Sequence, residues 1–170
     1  GTPLTQEQIL AQIQNLDTQW RNAGDNDPLI ARTIADSEET NVLAHQLYNF
    51  SEALPDHIEV FVTDAYGATL GSNSRLSDYY QADEDWWQAA YNNGEGGVYI
   101  SDIEFDDSAQ ANSVQMAVPV RDDESGNIVG IIRTTLDATA LQGVIDDQSF
   151  GQTGHAELFT ATGEEQLDGR

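Results

Sequence analysis

Apolar residues in the first part of the chain recur at the spacing of a helix. A four-three-four spacing predicts a helix over residues 5–21, and Thr5 with Gln8 forms the capping-box pattern that begins it. The apolar stripe consists of Ile9, Ile13, Leu16 and Trp20. After the turn-rich break "NAGDNDP", the same period predicts a second, longer helix that is strongest over 37–54 and is stopped by Pro55.

Beyond this region the period changes from that of a helix to that of a strand. "HIEVFVTD" (57–64) alternates polar and apolar residues, "DAYG" is a turn, and "ATLGS" returns as the partner strand. Three further strands are predicted at 97–105, 113–120 and 127–136, and the turn "DDESGN" joins the last two.

Two short helices accompany these strands. "ADEDWWQAAYNN" is predicted as a helix with Asp83 as its N-cap, and Asp137 caps another that carries Leu141, Val144 and Ile145. The order of elements predicts an α+β fold. We expect the long N-terminal helix to pack on a central antiparallel sheet of about five strands, with short helices over one face.

The end of the chain repeats an earlier pattern. "HAELFTATGEEQL" (155–167) echoes "HIEVFVTDAYGATL" (57–70). Residues 151–170 are therefore either the start of a second, truncated module or a closing strand hairpin of the first domain. The first domain spans 1–150 in this interpretation, with a helical region over 5–54.

The charge of the chain excludes two classes of partner. It has 30 acidic residues and 6 basic ones, all of them arginine, and its formal net charge is −24. Such a surface repels nucleic-acid phosphates and anionic lipid heads, so we expect neither as a partner. Two interpretations of the acidity remain open: adaptation to salty surroundings, which the lack of lysine favours, and an acidic surface at low salt.

Motifs of catalytic chemistry are missing from the sequence. It has no cysteine and no GxSxG, HExxH or Walker pattern. Its histidines, His45, His57 and His155, stand in no motif with a nucleophile. We therefore expect no enzyme and no cofactor. No stretch approaches the about 18 apolar residues of a membrane-spanning helix.

Acidic residues in "SDIEFDDS" supply oxygen ligands of the kind that calcium takes. They are Asp102, Glu104, Asp106 and Asp107. Alternation puts the first three on one strand face, which is also the pattern of a solvated face, and EF-hand spacing is absent. A calcium-binding or dimerisation module without an organic ligand is the alternative to the function below.

Several segments together resemble a known family. The hairpin with "TDAYG", the tyrosines followed by "WW", and "VPVRDDESGNIVGIIRTTLD" resemble, in order and spacing, a Cache domain over about residues 5–150. Cache domains are extracytoplasmic PAS-like sensor modules. The resemblance implies a PAS-like fold with a small-molecule pocket on one sheet face. The tail looks like the entry to the membrane-proximal module of a tandem Cache protein.

The resemblance also implies a function and a location. We expect an extracytoplasmic domain, extracellular or periplasmic, that senses a small organic molecule for a membrane-anchored signal-transduction receptor. Such receptors include histidine kinases, chemoreceptors and cyclases, and they carry flanking transmembrane helices. We further expect that the N-terminal helix forms a homodimer contact.

Two adjacent tryptophans raise the question of what each one faces. Side chains of helix neighbours point about 100° apart, so one can enter the core while the other lines a cleft between helix and sheet. Both can also pack as core. The resemblance implies that Tyr79, Trp86 and Trp87 contact the ligand, and Tyr99 is expected to do so as well.

The polar positions depart from the amino-acid-binding Cache pattern. Glu84 stands where those relatives place an arginine for the ligand carboxylate, and Arg133 is the nearest match to their acid for the ligand ammonium. Asp106 matches an acid on the middle strand, and Glu104 stands where a tyrosine is usual. All four are expected ligand contacts.

Arg133 lies inside the apolar stretch "IVGIIRTTL". A buried guanidinium must reach water, pair with an acid or meet an anionic ligand. If Arg133 faces the pocket, we expect the ligand to carry a carboxylate or a similar anion.

Overall fold

The structure is a computed structural model that describes residues 3–34, 37–106, 111–151, 154–160 and 162–168. Helices and antiparallel strands are mixed in it, as predicted for the α+β class. Its helices are α1 (Gln6–Asn22), α2 (Pro28–Thr33), α3 (Val42–Ala53), α4 (Asp85–Tyr91) and α5 (Ala138–Asp146). Within the described ranges, no helix has the length and apolar character needed to cross a bilayer.

The capping box of α1 is confirmed. The Thr5 side chain accepts the N–H of Gln8 at 3.3 Å, and the Gln8 side chain accepts the N–H of Thr5 at 2.9 Å. This exchange satisfies two backbone donors at the helix start. The helix then buries Ile13 and Trp20, which join the main core of the domain.

The prediction of one long second helix is wrong. The chain forms α2 and α3 instead, because two separate residues cap them. Asp27 accepts the N–H of Leu29 at the start of α2. Asn41 accepts the N–H of Ala44 at the start of α3, and residues 38–40 form a turn before it.

Six antiparallel strands form the central sheet, in the order β2-β1-β6-β5-β3, with β4 also paired to β5. They are β1 (His57–Asp64), β2 (Thr69–Ser72), β3 (Tyr99–Ile100), β4 (Glu104–Asp106), β5 (Ala111–Arg121) and β6 (Ile128–Asp137). The single strand predicted over 97–105 is wrong. Residues 101–103 leave the ladder, so its two ends pair with different parts of β5, and the sheet has six strands instead of about five.

The strand register fixes two different faces of the sheet. On one face Phe61 lies beside Arg133, which lies beside Ala117. This face packs on α4 in the main core. On the opposite face α3 packs through Leu47 against Val60. Helices therefore cover both faces, whereas the sequence predicted short helices over one.

Helices α4 and α5 begin at the predicted places, with one difference. Asp137 caps α5, as predicted, because its side chain accepts the N–H of Thr139 at 2.8 Å. The N-cap of α4 is Glu84 instead of Asp83, and no side chain bonds to the free N–H groups there. The left-handed Asn92 ends α4.

The tail forms two short hairpins outside the six-stranded sheet. They pair β7 (Ser149–Phe150) with β8 (Gly154–His155), and β9 (Glu157–Phe159) with β10 (Glu165–Asp168). The Gln166 side chain accepts the N–H of Ile103 at 2.5 Å, which joins the second hairpin to the first domain. Whether 151–170 begins a second module stays a prediction.

Candidate ligand-binding site

A cavity of about 380 Å³ opens between one face of the sheet and the segment that joins β2 to α4. This volume lies at the small end of the range of ligand pockets, about 300–1,000 Å³, so it suits a small molecule. It is lined by Glu59, Phe61, Arg75, Leu76, Ser77, Gln81 and Arg133.

The strands place three of these side chains on one wall. Side chains alternate along a strand, so Glu59 and Phe61 of β1 point to the same face. The antiparallel register puts Arg133 of β6 directly beside Phe61. The other four lining residues come from the segment over 75–81 and form the opposing wall.

Arg133 lies against two aromatic rings that contact each other. Its Cζ lies 5.4 Å from the ring centroid of Phe61 and 5.1 Å from that of Trp86. Its side chain is 12% exposed, and its Nη2 lies 3.8 Å from Oε1 of Glu59. Cation–π contact and the nearby acid keep this charge acceptable at low exposure. The arginine thus pairs with an acid and also lines the cavity.

Arg75 is fixed to the end of α1. Its Nη2 donates to the carbonyls of Trp20 at 2.8 Å and Ala23 at 3.0 Å, and its Cζ lies 5.3 Å from the Trp20 ring centroid. A cation is stabilised at a helix C-terminus by the exposed carbonyls. The Nη1 atom lies 3.4 Å from Oδ1 of Asp25.

Gln81 is oriented by an acid behind the cavity wall. Its Nε2 donates to Oδ1 of Asp78 at 2.5 Å and to the Asp78 carbonyl at 3.1 Å. Burial raises the pKa of Asp78, although the charge of Arg21 opposes this shift. The Arg21 Nη2 lies 3.4 Å from Oδ2 of Asp78.

The same segment is tied to α1 by Asp17. Its Oδ1 accepts the N–H of Tyr79 at 2.8 Å and of Tyr80 at 3.1 Å. Burial alone raises the pKa of Asp17, but these N–H donors and Arg21 together hold it below its usual range. The cavity wall and α1 therefore form one hydrogen-bonded unit.

The two tryptophans face different surroundings, although each is 5% exposed. The Trp86 ring contacts Phe61 edge-to-face at 5.6 Å and lies under Arg133 at the cavity. The indole N–H of Trp87 donates to the Thr63 hydroxyl at 2.9 Å, and its ring stacks on Tyr91 at 4.8 Å. Trp87 thus packs in the core beside the site.

Three other predicted contacts, Tyr79, Tyr99 and Glu84, are outside the described lining of the cavity. Tyr79 is buried against Trp20, with ring centroids 5.8 Å apart, and this burial raises its pKa. Tyr99 of β3 is half-buried against the main core. Burial and neighbouring acids raise the pKa of Glu84, and the charge of Arg133 opposes this shift.

The acids of β4 lie elsewhere. Glu104 is exposed and lines a separate pocket of about 200 Å³ with Ser101 and Gln115. Asp106 closes β4, but its side chain falls outside the described residues, as does all of Asp107. Among the residues that are described, no three His, Asp or Glu side chains gather as metal ligands.

Most residues of the cavity lining were not predicted from the sequence. Glu59 and Phe61 share a strand face with alternating spacing, which is a usable signal. Arg75 is an isolated basic residue in "SNSRLSD", which is a weaker signal in an acidic chain. Leu76, Ser77 and Gln81 stand in an irregular segment without a period that could place them.

Comparison with known proteins identifies related domains. The family model "methyl-accepting chemotaxis protein-like, first PDC sensor domain" matches residues 27–143. That range contains every residue of the cavity lining. No curated protein sequence matches the chain.

Solved structures share the fold at low sequence identity. Chemoreceptor Tlp3 of Campylobacter jejuni, bound to 4-methylisoleucine, gives a TM-score of 0.57 at 15% identity over 95% of this chain and 63% of its own. PctC of Pseudomonas aeruginosa, bound to GABA, gives a TM-score of 0.55 at 17% identity. The match covers 95% of this chain and 66% of the PctC chain. CtaA of Pseudomonas fluorescens, bound to L-serine, gives a TM-score of 0.54 at 15% identity. The match covers 95% of this chain and 64% of the CtaA chain. The chain thus spans about two thirds of their length.

Proposed function

Because the chain belongs to the family of methyl-accepting chemotaxis protein-like first PDC sensor domains, we propose that its cavity binds a small organic ligand that carries a carboxylate. The family is of the Cache type and consists of extracytoplasmic sensor domains that bind small molecules. Structural neighbours are ligand-binding domains of chemoreceptors and hold amino acids such as L-serine. These ligands carry a carboxylate, which supports the proposal for this chain.

The placement of Arg133 carries this proposal. Its guanidinium lines the cavity, lies against the rings of Phe61 and Trp86, and has Glu59 beside it. A guanidinium presents five N–H donors in a planar fork, which matches the two oxygens of a carboxylate. A ligand carboxylate can therefore bind Arg133 alongside Glu59. Phe61 and Trp86 would keep the guanidinium plane in place.

A binding screen tests the proposal. Thermal shift and calorimetry would compare carboxylates, amino acids and amines on the wild-type domain and on Arg133→Gln. We expect a carboxylate ligand whose affinity falls by about tenfold or more in Arg133→Gln, because a charge-assisted hydrogen bond is lost. Arg32→Gln, an exposed change on α2 away from the cavity lining, is the matched control. A ligand that binds Arg133→Gln as tightly as wild type overturns the proposal.

The domain in this proposal senses the ligand without changing it chemically. The supporting observation is that the described lining of the cavity consists of two arginines, an acid, a serine, an amide and two apolar residues, with neither a histidine nor a cysteine to act as base or nucleophile. Proton NMR of the ligand after prolonged incubation checks this point. Turnover of the ligand would show that the domain is an enzyme.

The remaining statements about the receptor are also proposals. Family membership supports an extracytoplasmic location, flanking transmembrane helices and a second module that follows residue 150. We further propose a homodimer contact along α1, whose surface is largely exposed outside Ile13 and Trp20. Sedimentation analysis of the domain with and without Leu10→Glu tests the α1 contact, since Leu10 is half-buried on α1, whereas Ile9 packs against the main core. A wild-type domain that is monomeric at high concentration counts against it.

A further inference from the structure

Two guanidinium groups line the same cavity from different walls. Arg133 comes from the sheet, and Arg75 comes from the segment between β2 and α4. The whole chain has six basic residues against 30 acidic ones. Two of those six therefore meet at one small cavity in a protein whose surface is strongly negative.

The charges of the lining side chains leave a positive excess. Among the described lining residues, two arginines stand against one acid, Glu59, whose Oε1 lies 3.8 Å from Nη2 of Arg133. Asp25, the acid nearest Arg75, has a 98% exposed side chain and does not line the cavity. Glu84 acts on Arg133 through its charge but is exposed and also lies outside the lining.

Hydrogen bonds hold the Arg75 guanidinium in place and leave it able to bind a ligand anion. Its Nη2 donates to the carbonyls of Trp20 and Ala23, which fixes the direction of the guanidinium. Its Nη1 meets Asp25 at 3.4 Å, a long contact to a solvent-exposed partner. Among the described residues, these bonds use three of the five N–H donors of a guanidinium that lines the cavity, so a second anion can bind it there.

We propose that the cavity binds a ligand with two anionic groups, one at Arg133 and the other at Arg75. This inference rests on the proposed function and names the ligand class of that site. A monocarboxylic amino acid that binds Arg133 would bring no second anion to the cavity side of Arg75, or would place its ammonium near a like charge, which is unfavourable. A dicarboxylate satisfies both arginines at once.

Matched pairs of ligands test the second anion. Calorimetry at constant ionic strength would compare succinate and glutarate with their monomethyl esters, and with L-leucine and GABA. We expect the better diacid to bind the wild-type domain about tenfold or more tightly than its monoester, because the ester removes one charge-assisted contact. Arg75→Gln should bring this ratio close to one, mainly by lowering the affinity for the diacid, whereas Arg32→Gln should keep the ratio.

The outcomes separate this inference from the proposed function. Equal affinity for diacid and monoester in the wild-type domain overturns the inference without any variant, so a folding defect of Arg75→Gln cannot hide the answer. An amino acid that binds more tightly than either diacid, with loss in Arg133→Gln, overturns the inference and leaves the proposed function standing. If every tested carboxylate binds the wild-type domain and Arg133→Gln with equal affinity, both the inference and the proposed function are overturned.

Discussion

The indole N–H of Trp20 donates to the backbone carbonyl of Leu76 at 2.8 Å, across 56 positions of the chain. Leu76 lines the cavity, and its neighbour Arg75 donates back to the Trp20 carbonyl. Helix α1 and the cavity wall are thus joined by hydrogen bonds in both directions. A ligand that shifts this wall must either move α1 or break those bonds, which gives ligand binding a direct mechanical route to the N-terminal helix.

Asp17 should contribute strongly to this connection. Its carboxylate accepts the N–H groups of Tyr79 and Tyr80, so Asp17→Ala leaves two donors without an acceptor. We expect Asp17→Ala to lower the free energy of unfolding by about 2–3 kcal/mol, and Asp17→Asn, which keeps an acceptor oxygen, by less than half of that. Urea unfolding measures both. Thr18→Ala, an exposed change on the same helix, should cost no more than about 0.5 kcal/mol. If Asp17→Ala and Asp17→Asn lower the free energy of unfolding equally, the side-chain oxygen of Asp17 is not the acceptor that stabilises this connection.

The contribution of Asp17 should also depend on pH with a defined sign. The pKa of Asp17 in the folded state lies below its ordinary value of 3.8. Its stabilisation is therefore fully present above pH 3.8 and is lost as the pH falls through the folded-state pKa. The stability difference between wild type and Asp17→Asn should shrink below about pH 4. Unfolding curves from pH 7 to pH 2.5 at fixed salt check this, and a constant difference would count against it.

Regular spacing decided what could be predicted from the sequence. The capping box at Thr5 located α1, and the apolar stretch around Arg133 marked it as an unusual charge, because both signals are local in the sequence. Arg75 and Gln81 sit in a segment without a period, and long-range bonds to α1 and Asp78 position them. Residues 101–103 broke a strand that the pattern showed as continuous, since alternation does not reveal where pairing stops.

The two tryptophans should separate into a residue that supports Arg133 and a residue that only packs in the core. Trp86→Leu removes the ring beneath Arg133, and we expect ligand affinity to fall by about three- to tenfold with the loss of the cation–π contact. Trp87→Phe keeps a ring for Tyr91 but loses the hydrogen bond to Thr63. It should cost about 1–2 kcal/mol of stability and leave affinity within about twofold. Calorimetry with the tightest-binding carboxylate measures the affinity of both variants. A larger loss of affinity in Trp87→Phe than in Trp86→Leu would place Trp87 at the ligand.

Salt should stabilise the fold. At a net charge of −24, self-repulsion between surface carboxylates opposes the compact state. Raising KCl from about 0.1 M to 1 M shortens the screening length from about 10 Å to 3 Å, so we expect the melting temperature to rise by about 3 °C or more. Chloride is the appropriate anion, because sulfate also strengthens apolar burial. A melting temperature that does not change over this range would show that the acidic surface carries no such cost.

Gly67 should be required for the shape of the cavity wall. It adopts a φ of +87°, its carbonyl accepts the N–H of Gln81 at 2.8 Å, and a Cβ there would overlap Ala82. Gly126 also has a positive φ, of +72°, but nothing lies within 4 Å of an added Cβ. Gly126→Ala should therefore cost about 1 kcal/mol from backbone strain alone.

Gly67→Ala adds a steric overlap to the same strain, so it should cost about 1–3 kcal/mol more than Gly126→Ala. It should also weaken ligand binding, because the overlap pushes on the chain next to Gln81, which lines the cavity. Urea unfolding and calorimetry on the two variants check both effects. The difference between the variants isolates the contact with Ala82, since each carries a left-handed backbone. Equal stability and equal affinity of the two variants would mean that the wall yields freely at this point and does not hold Gln81 in place.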